Sequence, residues 1–335
     1  MNPEKICVIH LNQIGDLAFA MPLLKALRSH FPGAAVHSVV KPYLIELLEG
    51  SPYVDRIMPR LDTIRDKGRL LATLRKARYD LLFCLPRSEE SLIMTAFSRA
   101  DVKAGFCHFP WDWGLNIKET VEGHNCWYNN AKLLKQLDIP IPQNNYVGLL
   151  PTDADITDLE LPQRFMVISP GASKRRQAKT WPEENFARLA RRLWRRYGLT
   201  PLLVGSAENG KVNARIIRLA LEQEGDDNFL PVDLSGKIGL RVLCAVLDKA
   251  SLFVGIDSGV MHLASAVNIP VVGLFGPTDP DYVGPQNKLS RVVRREDMEC
   301  VPCYLKKCGH LNCMQQLSVD QASQACDELL SIGPK

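Results

Sequence analysis

The feature that most restricts this chain is an alternation of short β-rich apolar runs with helix-spaced apolar patterns, in two series separated by a proline-punctuated stretch. In the first series Lys5 to Leu11 (KICVIHL) reads as a strand that ends in the loop NQIG, residues 12–15. Leu17, Met21, Leu24 and Leu27 then recur at helical spacing until Phe31-Pro32-Gly33 stops the run. Ala35 to Val40 and Asp80 to Leu85 read as further strands. Pro140, Pro142, Pro151 and Pro162 bracket polar residues, as suits a linker. A second series follows: strand 165–169, a helix from Pro182 to Tyr197 closed by Gly198, strand 202–205, a helix over 207–224, and strands 252–256 and 270–275. Strands alternating with helices predict an α/β protein with parallel sheets. Two such arrays predict two lobes with a cleft between them, in which the loops after the strands carry the chemistry.

Length agrees with this division: 335 residues at roughly 150 per domain suggest about two domains. With 46% hydrophobic and 23% charged residues, disorder and collagen-like repeats are excluded. The net charge of +4 predicts no bulk attraction to nucleic acid. The first residues do not read as a signal peptide, and no apolar stretch approaches a membrane span, so a cytoplasmic chain is expected, peripherally bound to membrane at most. Six of the ten cysteines are scattered, as for buried thiols in a reducing compartment. Cys300, Cys303, Cys308 and Cys313 cluster, but their spacing fits no common zinc ribbon. Reduced thiols are expected there, with a structural metal as the alternative.

Three strand-to-helix junctions stand out. Asp16 follows the first strand, where it is either the N-cap of the next helix or a carboxylate at a strand's carboxyl end, placed as a general base is placed. The loop SPGASKRRQAKTWP, residues 169–182, carries four cations into a helix start, which suits a diphosphate or is simply a solvated basic loop. Asp257-Ser258-Gly259 and His262 occupy a third junction, where backbone N–H groups at a helix start and an imidazole one turn on reach one ligand. The turn Gly276-Pro277-Thr278-Asp279-Pro280 reads as turn chemistry. No dinucleotide fingerprint, phosphate-loop motif or HExxH is present. On helix 183–197, Arg188, Arg191, Arg192, Arg195 and Arg196 share one face, a solvated surface or a docking face for an anionic membrane.

The segments ICVIHLNQIGDLAFAMPLLKALRSHFPGA, VISPGASKRRQAKTWPEENFARLA, LFVGIDSGVMHLASAVNIPVVGLFGPTDP and CVPCYLKKCGHLNC, in this order, resemble the family-nine glycosyltransferases, which include the ADP-heptose:lipopolysaccharide heptosyltransferases. The resemblance implies a GT-B fold of two Rossmann-like α/β/α domains facing a central cleft. Residues 1–155 would bind the acceptor and 160–315 the nucleotide sugar, with a C-terminal helix at about 318–332 packing back on the first domain. It implies Asp16 as general base and Lys179 on the donor diphosphate. Ser173 would lie near the phosphates and Glu208 on the ribose, while Asp257, Ser258, Gly259 and His262 match the donor-binding motif. The reaction implied is inverting and needs neither metal nor cofactor. It moves a heptose from ADP-heptose to a lipid-linked inner-core oligosaccharide, beside an anionic membrane at the inner face of the inner membrane. The alternatives are another nucleotide-sugar donor, or a non-catalytic two-lobed binding protein.

Overall fold

In the computed structural model, which describes residues 2–124, 126–143, 145–172, 176–223 and 228–331, contacts divide the chain between Pro151 and Thr152. The first unit runs β1 (Lys5–Ile9), α1 (Ile14–His30), β2 (Ala35–Val40), β3 (Arg56–Pro59), α2 (Ile64–Ala77), β4 (Tyr79–Cys84), α3 (Glu89–Phe97), β5 (Ala100–Phe106), β6 (Ile117–Glu119) and α4 (Cys126–Lys135). Its six strands lie in the order β3-β2-β1-β4-β5-β6, every pairing parallel. Helices cover both faces of such a sheet, so the central strands are apolar throughout rather than alternating. Ile6 to Ile9 and Leu81 to Cys84 are accordingly fully buried.

The second unit repeats the plan with β7 (Phe165–Ser169), α5 (Glu183–Tyr197), β8 (Thr200–Leu203), α6 (Gly210–Leu221), β9 (Val232–Asp233), α7 (Leu240–Lys249), β10 (Leu252–Ile256), α8 (Gly259–Ala266), β11 (Val271–Leu274), α9 (Pro280–Val283), β12 (Ser290–Val293), α10 (Asn312–Gln315) and α11 (Val319–Leu330). Its order is β12-β11-β10-β7-β8-β9, again parallel. Each sheet reverses direction once, between β1 and β4 and between β7 and β10. Where the order reverses, adjacent helices depart to opposite faces and leave a crevice beyond the carboxyl ends of the strands.

The periodic segments of the sequence became elements close to where they were expected, with two local differences. Ser206 and Asn209 bond reciprocally as a capping box around the short turn Ala207–Asn209, so the helix expected from residue 207 begins at Gly210 instead. Arg191 leaves the solvated face of α5: it is 2% exposed, with its guanidinium 4.6 Å from the Phe229 ring centroid and 5.3 Å from that of Trp194. Gly198 ends α5 in the left-handed region (φ +66°), where a side chain would be strained.

Within the second unit, α11 packs on α5, β11 and β12. Ala322, Cys326 and Leu329 enter the second unit's core. Asp320 pairs with Arg192 and Asp327 with Arg196, each at 2.6 Å. The apolar stripe of α11 is thus matched within the second unit. Among the described residues, no helix is long and apolar enough to cross a membrane.

Candidate functional site

In the second unit, Lys179 and Asp257 meet at the crevice between β7 and β10. The chain leaving β7 makes a short turn, Gln177–Lys179, whose Ala178 is buried. It is pinned just beyond by Trp181, which is wholly buried and donates its indole N–H to the Leu317 carbonyl at 2.8 Å. This anchor holds Lys179 where its ammonium forms an ion pair with the Asp257 carboxylate at the end of β10. The Thr278 hydroxyl, beyond β11, donates to the same carboxylate oxygen at 2.6 Å. Three adjacent strands therefore converge on one carboxylate. Asp257 is 7% exposed and Thr278 4%, so the lysine is oriented by fixed groups rather than by solvent.

Ser258 takes the N-cap position of α8 but makes no side-chain capping bond. Its hydroxyl oxygen is buried and lacks a partner among the described residues. Such a group costs free energy unless something completes it. Gly259 opens the helix, and His262 follows, 4% exposed. Burial lowers His262 to about 4, with the Asp257 charge opposing the shift and the Lys179 charge adding to it, so the imidazole is neutral at neutral pH.

In the unfolded chain His262 titrates near its ordinary value of 6.5, so between about pH 4 and 6.5 the unfolded state binds more protons. Its contribution to stability is therefore complete above that range and is lost as pH falls through it. At about 1.4 kcal/mol per pH unit, His262→Gln is expected to lose about 2 kcal/mol less than the parent between about pH 7 and pH 5. Urea unfolding at both pH values checks this, and equal losses would remove His262 as a cause. His10, held at about 3 by burial and by Arg60, acts in the same direction and keeps the flattening partial.

Glu208 is exposed on the turn after β8, next to Asn209. The loops after β7 and β8 touch there: a Cβ at Gly171 would lie 2.2 Å from Asn209 Nδ2, so only glycine allows this approach. Ser173 lies outside the described residues, as do Lys174 and Arg175 of the cationic loop. The cysteine-rich segment braces the loop after β11, with the backbone N–H groups of Cys303 and Tyr304 both donating to the Pro277 carbonyl. Burial raises the Cys313 thiol, and nearby Cys303, Cys300 and Cys308 raise it further. The backbone N–H groups of Leu311, His310 and Gly309 lower that of Cys308. Among the described residues, no three His, Cys, Asp or Glu side chains converge as a metal-ligand set.

In the first unit, Gln13 holds the N-cap of α1, leaving Asp16 in the first turn, where the helix dipole favours an anion. Asp16 Oδ1 accepts a hydrogen bond from Cys126 Sγ at 3.1 Å. Burial, then the Asp16 charge, raises the Cys126 thiol well above its ordinary range, so it stays protonated and donates. Nearby, the Tyr43 hydroxyl donates to the Asn12 carbonyl, and Arg60, 3% exposed, donates to Asn12 Oδ1 and, at 2.7 Å, to Ser91 Oγ. Burial, then the Asp16 charge, raises the Tyr43 hydroxyl. Sequence reasoning missed Cys126, Tyr43, Thr278 and Arg60, the last because the edge strand β3 before it is not legible as an apolar run.

Two parallel six-stranded α/β units of this strand order make up a GT-B fold. The chain belongs to glycosyltransferase family 9, the heptosyltransferases, whose family model matches residues 67–313. It is 26% identical over 314 residues to lipopolysaccharide heptosyltransferase 2 of Salmonella typhimurium, covering 87% of this chain and 88% of that one. Its fold is similar to that of E. coli ADP-heptose lipopolysaccharide heptosyltransferase II, with a TM-score of 0.79 and 23% identity over 98% of this chain and 99% of that one. It is also similar in fold to the iron-containing dodecameric glycosyltransferase TibC from enterotoxigenic E. coli, with a TM-score of 0.62 and 14% identity over 99% of this chain and 77% of that one. The chain is thus a glycosyltransferase of a family that acts in lipopolysaccharide biosynthesis.

Proposed function

We propose that this enzyme moves a heptose from ADP-heptose to a lipopolysaccharide inner-core acceptor by a single inverting displacement that needs no metal. The second unit binds the nucleotide sugar and the first the acceptor. Asp16 removes the proton from an acceptor hydroxyl as that oxygen attacks the anomeric carbon. The bond from this carbon to the diphosphate oxygen breaks, and ADP leaves with the electron pair. Lys179 and the N–H groups at Ser258 and Gly259 meet the charge growing on the diphosphate, acting before any solvent can reorganise. In this reading Asp257 aims the lysine instead of touching the donor, the orphaned Ser258 hydroxyl bonds a phosphate oxygen, and Glu208 holds the ribose.

The observation that supports this most is the Lys179–Asp257–Thr278 constellation at the switch point beside the head of α8. It supplies a fixed cation and free N–H groups at the place where α/β sheets bind phosphate. The acceptor's lipid anchor places the enzyme against an anionic membrane on its cytoplasmic side.

The test incubates the enzyme with ADP-heptose and an inner-core glycolipid, with and without EDTA, and follows ADP release. Transfer is expected to persist in EDTA, giving a product whose anomeric configuration is opposite to that of the donor. Loss of turnover with EDTA and its return with added metal would overturn metal independence. Retained configuration would overturn direct displacement, and stronger thermal stabilisation by UDP or GDP than by ADP would overturn the donor assignment.

A further inference from the structure

The outer face of α5 carries a cavity of about 400 Å³ lined by Arg188, Arg191, Arg192, Arg195, Arg196 and Gln223. Its chemistry is not that of an evenly solvated basic face. Two of the arginines have carboxylates on α11, Arg192 with Asp320 and Arg196 with Asp327, and Arg188 donates to the neutral Asn185 side chain. Arg191 is 98% buried in effect, being only 2% exposed, and pairs with no carboxylate among the described residues. One of its terminal nitrogens donates to the Gln223 carbonyl at 3.4 Å, and its Nε has no partner among the described residues. Stacking on Phe229 and Trp194 holds the guanidinium plane in place without neutralising it. A buried cation lacking an anion is an unfavourable arrangement, and a planar guanidinium with an unused N–H edge fits the tetrahedral oxygens of a phosphate.

We propose that this pocket is a binding site for a phosphate monoester group, free or displayed on a lipid headgroup, with Arg191 as its floor and Arg188 and Arg195 at its rim. The site is separate from the Lys179 crevice, and the inference does not rest on the transfer reaction.

Calorimetric titration with inorganic phosphate at constant ionic strength tests it, on the parent and on two variants. Arg191→Gln removes the floor. Arg188→Gln combined with Arg195→Gln changes only exposed positions and guards against a folding defect in the first variant. An anion bound at Lys179 is unaffected by either, so any loss isolates the pocket. Each variant is expected to bind phosphate about tenfold more weakly or worse, from the loss of one charge-assisted contact in the first and two in the second. Flotation with phosphatidylcholine vesicles carrying either phosphatidic acid or phosphatidylserine then identifies the source. Preference for phosphatidic acid, lost in the variants, marks a lipid headgroup, whereas phosphate binding without vesicle binding marks a soluble ligand. Phosphate affinity equal in parent and variants overturns the site, as does absence of binding to the parent because a carboxylate of this chain already fills the pocket. Equal recovery with the two lipids and no response to phosphate also overturns it, leaving only diffuse surface charge.

Discussion

Replacing Asp16 by Asn is expected to lower kcat by about 10²–10⁴-fold while the protein stays folded and is still stabilised by ADP. The amide has the shape of the carboxylate, and its oxygen still accepts from the Cys126 thiol, so the local packing has no reason to change. What disappears is the capacity to take a proton from the acceptor as its oxygen attacks. The helix dipole at the start of α1 favours the ionised carboxylate and does nothing comparable for an amide. Initial rates at saturating donor and acceptor, with a thermal shift by ADP as the control, decide it. Near-normal turnover would remove Asp16 as the base, and loss of ADP stabilisation together with activity would mean that the substitution acts through folding.

Lys179→Met is expected to fail in two separable ways. Lys179 and Asp257 form an ion pair whose side chains are 16% and 6% exposed. Deleting the cation strands a buried carboxylate with the Thr278 hydroxyl still on it, at a cost of about 3–5 kcal/mol. In the proposed mechanism the same deletion removes the charge that meets the departing diphosphate, and kcat is expected to fall by about 10²–10³-fold. Adding Asp257→Asn removes the stranded charge, so the double variant is expected to recover most of the stability and none of the rate. Urea midpoints and initial rates separate the two effects. A single variant that unfolds at the parental midpoint would show that the pair is not structurally strained by its loss, and parental turnover would end the role assigned to Lys179.

The acid sensitivity expected from His262 follows from the same architecture. Its imidazole is buried beside the Lys179–Asp257 pair, so protonating it sets a charge in a place with no water to receive it. That crevice is thereby one of the points at which acid is expected to unfold the second unit.

Much of the architecture was legible in the residues because burial on both faces writes a strand as an unbroken apolar run. KICVIHL, FMVIS and LFVGI each carry that mark, and each became a central strand. The edge strands left no such trace. β3, β6 and β9 are short and only partly buried, so their composition resembles that of loops. Of the candidate site residues, Asp16, Asp257 and His262 were singled out at strand-to-helix junctions, and Lys179 in a cationic loop through the family resemblance. Cys126 was not, since 110 residues separate it from Asp16. Thr278 was read as turn chemistry because nothing local reveals that its hydroxyl reaches a carboxylate on another strand.

By itself the sequence determined the alternation of strands and helices, the two-unit division and the strand ends at which polar groups gather, because each depends on periodicity and on chemistry between near neighbours. Only the tertiary structure decided that Asp257 grips Lys179, that Cys126 donates to Asp16, that Arg191 lies in the wall of a pocket, and that α11 packs on the second unit. Those outcomes depend on which distant residues the parallel order of strands brings within a few ångströms, and on how completely water is excluded once they meet.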